Sequence, residues 1–389
     1  MFKVVSPNSG FIPACCGVKR IATRPLKYRD NDFDEKYDER TLFYDIYFSE
    51  DNTELRLNCP PFLNLQAEFR EADFSLNGAK LSVEGDFTEL DRCADITFSG
   101  IKQIHEERQN YLEIDIFLKM MRSKVGRNFS RQFAGKRVIL AKSKNNNLKW
   151  IKDWCQYYAD VHGANAILFY DNGSEKYKPE DLLDVFSATK SFDTAVVVDW
   201  GFMFGPSGSG GHYYDSDYCQ HAILQNARHR YLASANSVLS VDIDELILPA
   251  TKKSLFGKRK DQSVFEVAEK SRKGYVEFSG EWIDNVIENA RSGSEELSFC
   301  NFQFRNRNSP RCATKWCVVP RLCPPENQWK IHKIRGMVDR EVHNLEMRHF
   351  KAISTNWKYH RSSIKHPTPD IHHKDERLVS LYSSIKNWN

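Results

Sequence analysis

The stretch that decides the fold is VLSVDIDELILP, residues 238–249. Its apolar run predicts a buried parallel strand, and Asp242 and Asp244 follow at the carboxyl end of that strand. Alternate residues of an extended chain project to the same side, so the two carboxylates can converge on one hard divalent cation. Acids at a strand end are also common as solvated groups or helix caps, but this edge of a sheet is where α/β proteins bind ligands. We therefore predict a metal site at Asp242 and Asp244.

Strands and helices alternate on both sides of this stretch, which predicts the α/β class with a mostly parallel sheet and helices on both faces. Gly163 ends one of the predicted helices, Pro179 opens another, and Gln220 is the expected capping partner of a third that begins near Asp217. The predicted strands are 138–141, 166–170, 194–198, 238–243, 275–278, 316–319, 329–334 and 345–350, and the predicted helices are 148–161, a segment from 179, a segment from 217, and 264–271.

The first third of the chain has a different pattern, in which short runs alternate apolar and polar residues. A period of two predicts half-buried antiparallel strands, and Asn77-Gly78 fits the positive φ angles of a tight hairpin. The predicted strands are 42–48, 55–57, 69–76, 81–83, 96–98 and 112–117. We expect an N-terminal β-rich accessory domain over residues 1–130, a second domain over 131–350, and a basic, peripheral C-terminal extension over 351–389.

Composition excludes several classes of protein. The 389 residues carry 56 basic and 52 acidic side chains, a balance that does not indicate nucleic-acid binding. There is no apolar run of the roughly 18–20 residues that a membrane span needs, and residues 1–20 lack a signal-peptide core. We expect a cytoplasmic protein. Its basic loop at 251–262 and its C-terminal extension fit contact with an anionic membrane surface or a charged glycan acceptor, although exposed lysines usually serve only solubility.

Two other features have structural explanations. The spacing of Cys312, Cys317 and Cys323 does not match the paired pattern of a zinc site, so we expect reduced, mostly buried thiols. The glycine-rich loop 201–217 lacks the spacing of a phosphate-binding loop and fits a mobile lid or a plain linker.

Several motifs occur in an order that resembles a known family. QHAILQNA (residues 220–227) precedes SVDIDE (240–245), YDNGS (170–174) lies upstream, and KWCVVP (315–320) lies downstream, followed by His332 and His349. This order resembles glycosyltransferase family 92 and the related family-2-like enzymes over about residues 137–357. Asn146 and Asp153 stand where the family usually has Glu.

The resemblance implies a GT-A fold, a nucleotide-diphosphate sugar as donor, and a divalent metal, usually manganese, with magnesium as the other choice. By position, Lys144, Asn145, Asp171 and Asn172 would lie near the nucleotide, together with Asp242. An ordinary turn explains Asp171 to Gly173 without any ligand.

The same positional argument supplies the remaining ligands. His349 would be the third metal ligand, with His332 as its competitor, because neutral imidazole suits manganese. Lys315, Arg321 and Lys333 would add positive charge near the diphosphate, although a solvated surface explains them as well.

An inverting transferase needs a carboxylate that takes the proton of the acceptor hydroxyl. Glu281 and Asp284 are the candidates, and Trp282 between them can stack on a sugar ring. A capped helix start around a core tryptophan is the alternative.

The sequence thus predicts a glycosyltransferase acting on a glycan or lipid-linked acceptor, in bacterial surface polysaccharide synthesis. The alternatives are a non-catalytic glycan-binding protein on a degenerate transferase domain and a metal-dependent phosphohydrolase, although the D-x-D-G-T of the latter is absent.

Overall fold

The computed structural model describes residues 1–81, 84–102, 104–105, 107–208, 215–253, 259–288, 297–339, 344–355 and 364–385, and within them the chain is a mixed α/β protein with several sheets. The strands are β1 Phe2–Val5, β2 Gly10–Phe11, β3 Thr41–Phe43, β4 Asp45–Phe48, β5 Glu54–Cys59, β6 Asp73–Leu76, β7 Ala79–Lys80, β8 Asp86–Glu89, β9 Ala94–Ser99, β10 Tyr111–Ile116, β11 Lys119–Lys124, β12 Arg137–Ser143, β13 Ala166–Asp171, β14 Thr194–Asp199, β15 Ser237–Ser240, β16 Glu245–Leu248, β17 Ala250–Lys253, β18 Arg259–Gln262, β19 Tyr275–Phe278, β20 Gly280–Ile283, β21 Phe304–Asn306, β22 Lys315–Val318, β23 Glu346–Phe350 and β24 His372–Lys374. The helices are α1 Phe33–Lys36, α2 Gln66–Glu71, α3 Leu148–His162, α4 Pro179–Ser187, α5 Tyr218–Asn226, α6 Val264–Lys270 and α7 Glu376–Ser384.

A seven-stranded sheet forms the centre of the molecule, in the order β1-β14-β13-β12-β15-β22-β19. Its first five strands run parallel to one another, and β22 and β19 are antiparallel to their neighbours. Apolar clusters lie on both faces, with α3, α4 and α6 against one and α5 against the other. The predicted parallel strand–helix alternation is therefore confirmed, and β15 ends two residues before Asp242.

Both ends of α3 have the capping residues expected for a helix, whereas the start of α5 differs from the prediction. The Asn147 side chain accepts a hydrogen bond from the backbone N–H of Lys149 at the start of α3, and Gly163 ends that helix at φ 70°. These are the preferred residues for a helix start and for a left-handed stop. The capping pair predicted at Asp217 and Gln220 is wrong, because Asp217 has a φ of 60° and its side chain caps no N–H of the helix.

A second sheet, β16-β23-β20-β21-β24, begins where the Asp-x-Asp segment ends. It contains the C-terminal β24, and Leu378 and Tyr382 of α7 join the same apolar core as the large sheet. The expectation that the C-terminal extension is peripheral is therefore wrong for residues 364–385. It relied on the many charged residues of this segment and overlooked its few apolar ones. The predicted strand at 329–334 is wrong as well, because Trp329 and Ile334 form a single bridge.

Antiparallel sheets fill the N-terminal part of the chain: β4-β5-β9-β8 and β11-β10-β6-β7 enclose one apolar core. Asn77 and Gly78 have φ angles of 54° and 81° and join β6 to β7, which confirms the predicted hairpin. The predicted strand at 69–76 is partly wrong, because Phe69 is buried from α2. Leu81 lies after the end of β7, and residues 82–83 of the predicted strand 81–83 lie outside the described residues.

The N-terminal part is joined to the large sheet in two ways. Strand β1 lies at the edge of the large sheet, parallel to β14. In addition, the carboxylate of Asp45 accepts hydrogen bonds from Asn226 at 2.8 Å and from Arg230 at 2.5 Å. Asp45 and Arg230 are 0% and 2% exposed, so this junction is sealed from water. The expected boundary at residue 130 thus separates segments that share a sheet.

All ten cysteines are free thiols, and Cys312, Cys317 and Cys323 are buried, as predicted. Among the residues that the structure describes, no helix has both the length and the apolar character needed to cross a bilayer.

Candidate functional site

A cleft of about 640 Å³ opens at the carboxyl ends of the parallel strands β12, β13 and β15. The last residues of β12 and the turn after it contribute Lys142 to Lys144, and the Asp-x-Asp segment after β15 contributes Asp242 to Asp244. Its other walls are formed by residues 202–205 after β14, by the start of α5, and by residues 353–355 after β23. Ligands of open α/β proteins usually bind at this edge, in the crevice outside the carboxyl ends of the parallel strands.

Asp244, Glu245 and His349 form a group of potential metal ligands, whose ligand atoms all lie within 4.8 Å of one another. Nε2 of His349 lies 3.0 Å from the Asp244 carboxylate, and Nδ1 lies 3.6 Å from that of Glu245. The antiparallel pairing of β16 with β23 places Glu245 opposite His349, so the second sheet builds the group. Two carboxylates and an imidazole form a donor set that suits manganese and other divalent ions.

The electrostatics of this group also fit a cation. Burial disfavours a charge on His349, but the Asp244 carboxylate outweighs burial and raises the pKa of His349 to about 10. Burial raises the pKa of Glu245. A divalent ion would take the place of the imidazole proton, because a metal-ligating histidine must be neutral.

Asp242 lies beside this group but is engaged elsewhere. One of its carboxylate oxygens is 2.9 Å from Nζ of Lys142 and the other is 2.5 Å from Nζ of Lys315. Burial works against its charge, but the two ammonium groups hold the pKa of Asp242 well below its usual range. Asp242 and Asp244 were expected to bind one cation together, but the structure gives them different partners. Asp244 lies beside Glu245 and His349, whereas Asp242 pairs with two lysines.

Lys315 connects the two halves of the site. Its buried ammonium group also lies 3.2 Å from Glu245, whose carboxylate accepts a hydrogen bond from the backbone N–H of Asp242. Burial disfavours the charge of Lys315, but Asp242 and Glu245 raise its pKa above the ordinary value. Sequence reasoning placed Lys315 near the diphosphate and missed Lys142 and Glu245. Glu245 was detectable, since it is the first residue of a strand that directly follows Asp-x-Asp.

The four residues predicted near the nucleotide fall into two pairs. Lys144 and Asn172 line the cleft, whereas Asn145 and Asp171 are engaged in the turns behind it. Asp171 accepts hydrogen bonds from the backbone N–H and the hydroxyl of Ser174, and the side chain of Asn145 accepts from the N–H of Glu175. Asp171 is 1% exposed. The ordinary turn is therefore the role that the structure gives Asp171.

The two predicted catalytic bases are not among the described residues of the cleft wall. Glu281 pairs with Arg305, and Asp284 pairs with Lys351 at 2.5 Å and with His372 at 3.2 Å. The prediction is corrected for a geometric reason: β20 lies inside the second sheet, and neighbouring strands and the C-terminal segment supply cations to its acids.

Trp282, between those two acids, was predicted to stack on a sugar ring. Its ring instead stacks on the imidazole of His349, with 4.0 Å between ring centroids. This contact supports the imidazole from behind and fixes its plane, which is the usual role of groups around a metal ligand.

The other predicted basic residues take separate positions. His332 lines the cleft, and its Nδ1 donates to the backbone oxygen of Thr314 at 3.1 Å. It is not part of the Asp244, Glu245 and His349 group. Arg321 and Lys333 are exposed and do not belong to the described cleft wall.

An N-terminal segment supplies one wall of the cleft, which the sequence did not suggest. Glu35 and Lys36 of α1 line it. The segment is held by Arg24, whose fully buried guanidinium pairs with fully buried Asp215 at 2.6 Å and also donates to the backbone oxygen of Ser207. Residues 209–214 of the predicted lid lie outside the described residues.

No protein-family model matches this chain, and no curated protein matches its sequence.

Proposed function

We propose that this protein is a metal-dependent glycosyltransferase with a GT-A fold, which transfers a sugar from a nucleotide-diphosphate donor to a glycan or lipid-linked acceptor. The observation that carries the proposal is the pairing of Asp244 with His349 and Glu245 in a cleft at the carboxyl ends of parallel strands. The strict strand–helix alternation before it and the small second sheet after it agree with the proposed fold. Bacterial surface polysaccharide synthesis is the setting we propose, with the protein on the cytoplasmic side.

The residues of the cleft suit a diphosphate. Asp244, Glu245 and His349 would hold a divalent ion, manganese or magnesium, which neutralises the charge that develops on the leaving nucleotide diphosphate. Lys142, 21% exposed at the cleft, places an ammonium group near the same point. Lys144 extends this positive side of the cleft.

Asp242 takes a different role in this proposal. Its contacts with Lys142 and Lys315 orient both ammonium groups. Lys315 is shared with Glu245, so two cations face two carboxylates, and the divalent ion would supply the net positive charge that attracts phosphate oxygens. Asp242 is therefore proposed to position the lysines, and Asp244 to hold the metal.

The acceptor proton needs a base in the cleft, and Asp217 is our candidate. It lines the cleft at the start of α5 in a left-handed conformation, φ 60°. Non-glycine residues in that conformation concentrate at functional sites. Its side chain is 13% exposed and lies 3.6 Å from Arg92. Glu35 is the other carboxylate that the described wall offers outside the Asp-x-Asp segment and Glu245.

One observation favours a non-catalytic sugar-binding protein as the second candidate. Both carboxylates in the position expected for the base, Glu281 and Asp284, are neutralised by ion pairs away from the cleft wall. In that case the cleft would bind a nucleotide sugar or glycan without turnover.

The test is release of nucleotide diphosphate from a panel of sugar nucleotides, measured with manganese and with the metal removed by a chelator. We expect metal-dependent release with at least one donor, stimulated by a glycan or lipid-linked acceptor. Asp244→Asn should abolish it, and Asp184→Asn on the exposed side of α4 should leave it unchanged. Asp217→Asn should lower kcat about 100-fold while donor binding is kept.

Three outcomes would contradict the proposal. Donor binding without any release supports the sugar-binding protein. Turnover of simple phosphate esters supports the phosphohydrolase. If Asp244→Asn still releases nucleotide diphosphate at the native rate, the group of Asp244, Glu245 and His349 has no part in the reaction.

A further inference from the structure

The hairpin between β10 and β11 has an unusual turn. Its two central residues, Phe117 and Leu118, have φ angles of 56° and 58°. A turn with two positive φ angles favours Asn, Asp or Gly, because a bulky side chain clashes with the backbone there. The neighbouring hairpin of the same sheet follows this preference and uses Asn77-Gly78. The second hairpin thus has two large apolar residues where the backbone disfavours them.

The two residues of the turn point to different surroundings. Phe117 packs against the apolar core of the N-terminal part. Leu118 is 97% exposed, and Met120, which follows it on β11, is 65% exposed. Phe117 therefore anchors the turn, and the paired strands present Leu118 and Met120 to the outside. Neither strain nor exposure of this kind stabilises a fold, and such outliers point to function.

Basic side chains outnumber acidic ones on this hairpin by three to two. Strand β11 carries Lys119, Arg122 and Lys124 and no acidic residue, and it is the edge strand of its sheet. Arg122 pairs with Glu113 at 3.3 Å, while no ion pair within the described part of the chain neutralises Lys119 or Lys124. The exposed Asp115, opposite Met120, offsets one of these charges. An apolar tip next to basic side chains is the pattern of an interfacial membrane contact.

We propose that this hairpin tip inserts into the surface of a bilayer that contains anionic lipids, with Leu118 in the apolar layer, Met120 at the level of the headgroups beside Asp115, and the ammonium groups of Lys119 and Lys124 at the lipid phosphates. A second copy of this chain is the less favourable occupant. Pairing two β11 edges would bring basic side chains of both copies together, because every charged residue of that strand is basic. The proposal is independent of the reaction proposed for the cleft.

The test is cosedimentation of the full chain with vesicles of phosphatidylcholine, with and without phosphatidylglycerol. We expect binding to the vesicles that contain phosphatidylglycerol, and about tenfold weaker binding for Leu118→Asn, since one apolar side chain leaves the membrane. Asn accepts a positive φ, so this variant should fold at least as stably as the native chain. Leu26→Asn is the matched control, because Leu26 is an exposed leucine, 78% accessible, in another part of the chain.

The double variant Lys119→Ser, Lys124→Ser tests the charges, and it should lose the preference for phosphatidylglycerol. The proposal is overturned if the chain binds neither kind of vesicle, or if Leu118→Asn and Leu26→Asn bind as the native chain does. It is also overturned if sedimentation shows a dimer that Leu118→Asn dissociates, because the tip then belongs to an interface between two copies.

Discussion

Two clusters in this protein surround a carboxylate with basic or amide side chains. At the junction of the N-terminal part with the large sheet, Asp45 contacts Arg230 and Asn226. In the cleft, Asp242 contacts Lys142 and Lys315. The chemistry is similar, but the access is not: the side chains of Asp45 and Arg230 are sealed, whereas one third of the Asp242 side chain, 33%, is exposed.

This difference separates an interaction that joins parts of the fold from one that is available to a ligand. A sealed pair cannot exchange its partner for water or a phosphate, so breaking it leaves an uncompensated buried charge. An open cluster can exchange partners at little cost to stability. Variants of the sealed pair should therefore lose far more stability than variants of the open cluster.

Arg230→Met should lower the free energy of unfolding by about 3–5 kcal/mol, because Asp45 stays buried without its cation. Urea unfolding measures this loss. Arg131→Met is the control, since Arg131 forms an exposed pair with Glu50, 78% and 34% accessible, and should lose at most about 1 kcal/mol. If both variants lose the same free energy of unfolding, burial does not distinguish the two ion pairs.

His162 offers a test of a sealed group through pH. Its Nε2–H donates to the oxygen of Ile247, its Nδ1 accepts from the N–H of Val264, and burial lowers its pKa from 6.5 to about 4. The unfolded chain therefore takes up a proton first as the pH falls. The stability from this group is complete above pH 6.5 and is lost toward pH 4, by about 3 kcal/mol in total.

Urea unfolding at several pH values between 7 and 4 checks this loss. His162→Gln should be less stable at neutral pH, but its stability should fall less steeply with acid than that of the native chain. His366→Gln, at an exposed histidine, should keep the native slope. A native slope in His162→Gln would show that folding does not lower the pKa of this imidazole.

Asp244→Asn should weaken manganese binding about 10- to 100-fold in a calorimetric titration. Asp242→Asn should have a smaller effect on manganese and a larger one on nucleotide diphosphate, since it releases Lys142 and Lys315. Neither change should approach the loss of stability expected for Arg230→Met. If Asp242→Asn removes manganese binding as completely as Asp244→Asn, both acids are metal ligands and the role proposed for Asp242 is wrong.

Lys144→Ala should change the free energy of unfolding by less than about 0.5 kcal/mol. Its side chain is 41% exposed, and its nearest acid, Glu175, is 3.7 Å away and 81% exposed. Binding of nucleotide diphosphate should nevertheless weaken, because Lys144 lines the cleft. A loss of stability without a loss of binding would place Lys144 with the structural pairs.

Much of this fold could be predicted because short-range patterns carry it. The run of apolar residues before Asp242 predicted a buried parallel strand, Gly163 marked the end of a helix, and Asn77-Gly78 marked a hairpin. Each of these depends on the geometry of a few neighbouring residues. Phe69 shows the limit, since a single buried aromatic fits a helix as well as a strand.

The candidate site was predicted less completely, because its contacts are long-range. Lys142 and Lys315 lie 100 and 73 residues from Asp242 in the chain, and no local pattern announces that they meet there. The misplaced bases have the same cause. Glu281 and Asp284 follow a predicted strand, but their ion-pair partners Arg305, Lys351 and His372 come from segments whose positions only the second sheet determines.

The position of β1 affects how the protein is made on the ribosome. Phe2–Val5 leave the exit tunnel well before their partner β14, Thr194–Asp199. At synthesis rates of about 5–20 residues per second, the first strand waits roughly 10–40 s for that partner. During this interval the antiparallel sheets of the N-terminal part can fold, with β1 still unpaired. Docking of this edge strand is therefore a late event in folding, and a strand-capturing chaperone would compete with β14 for it.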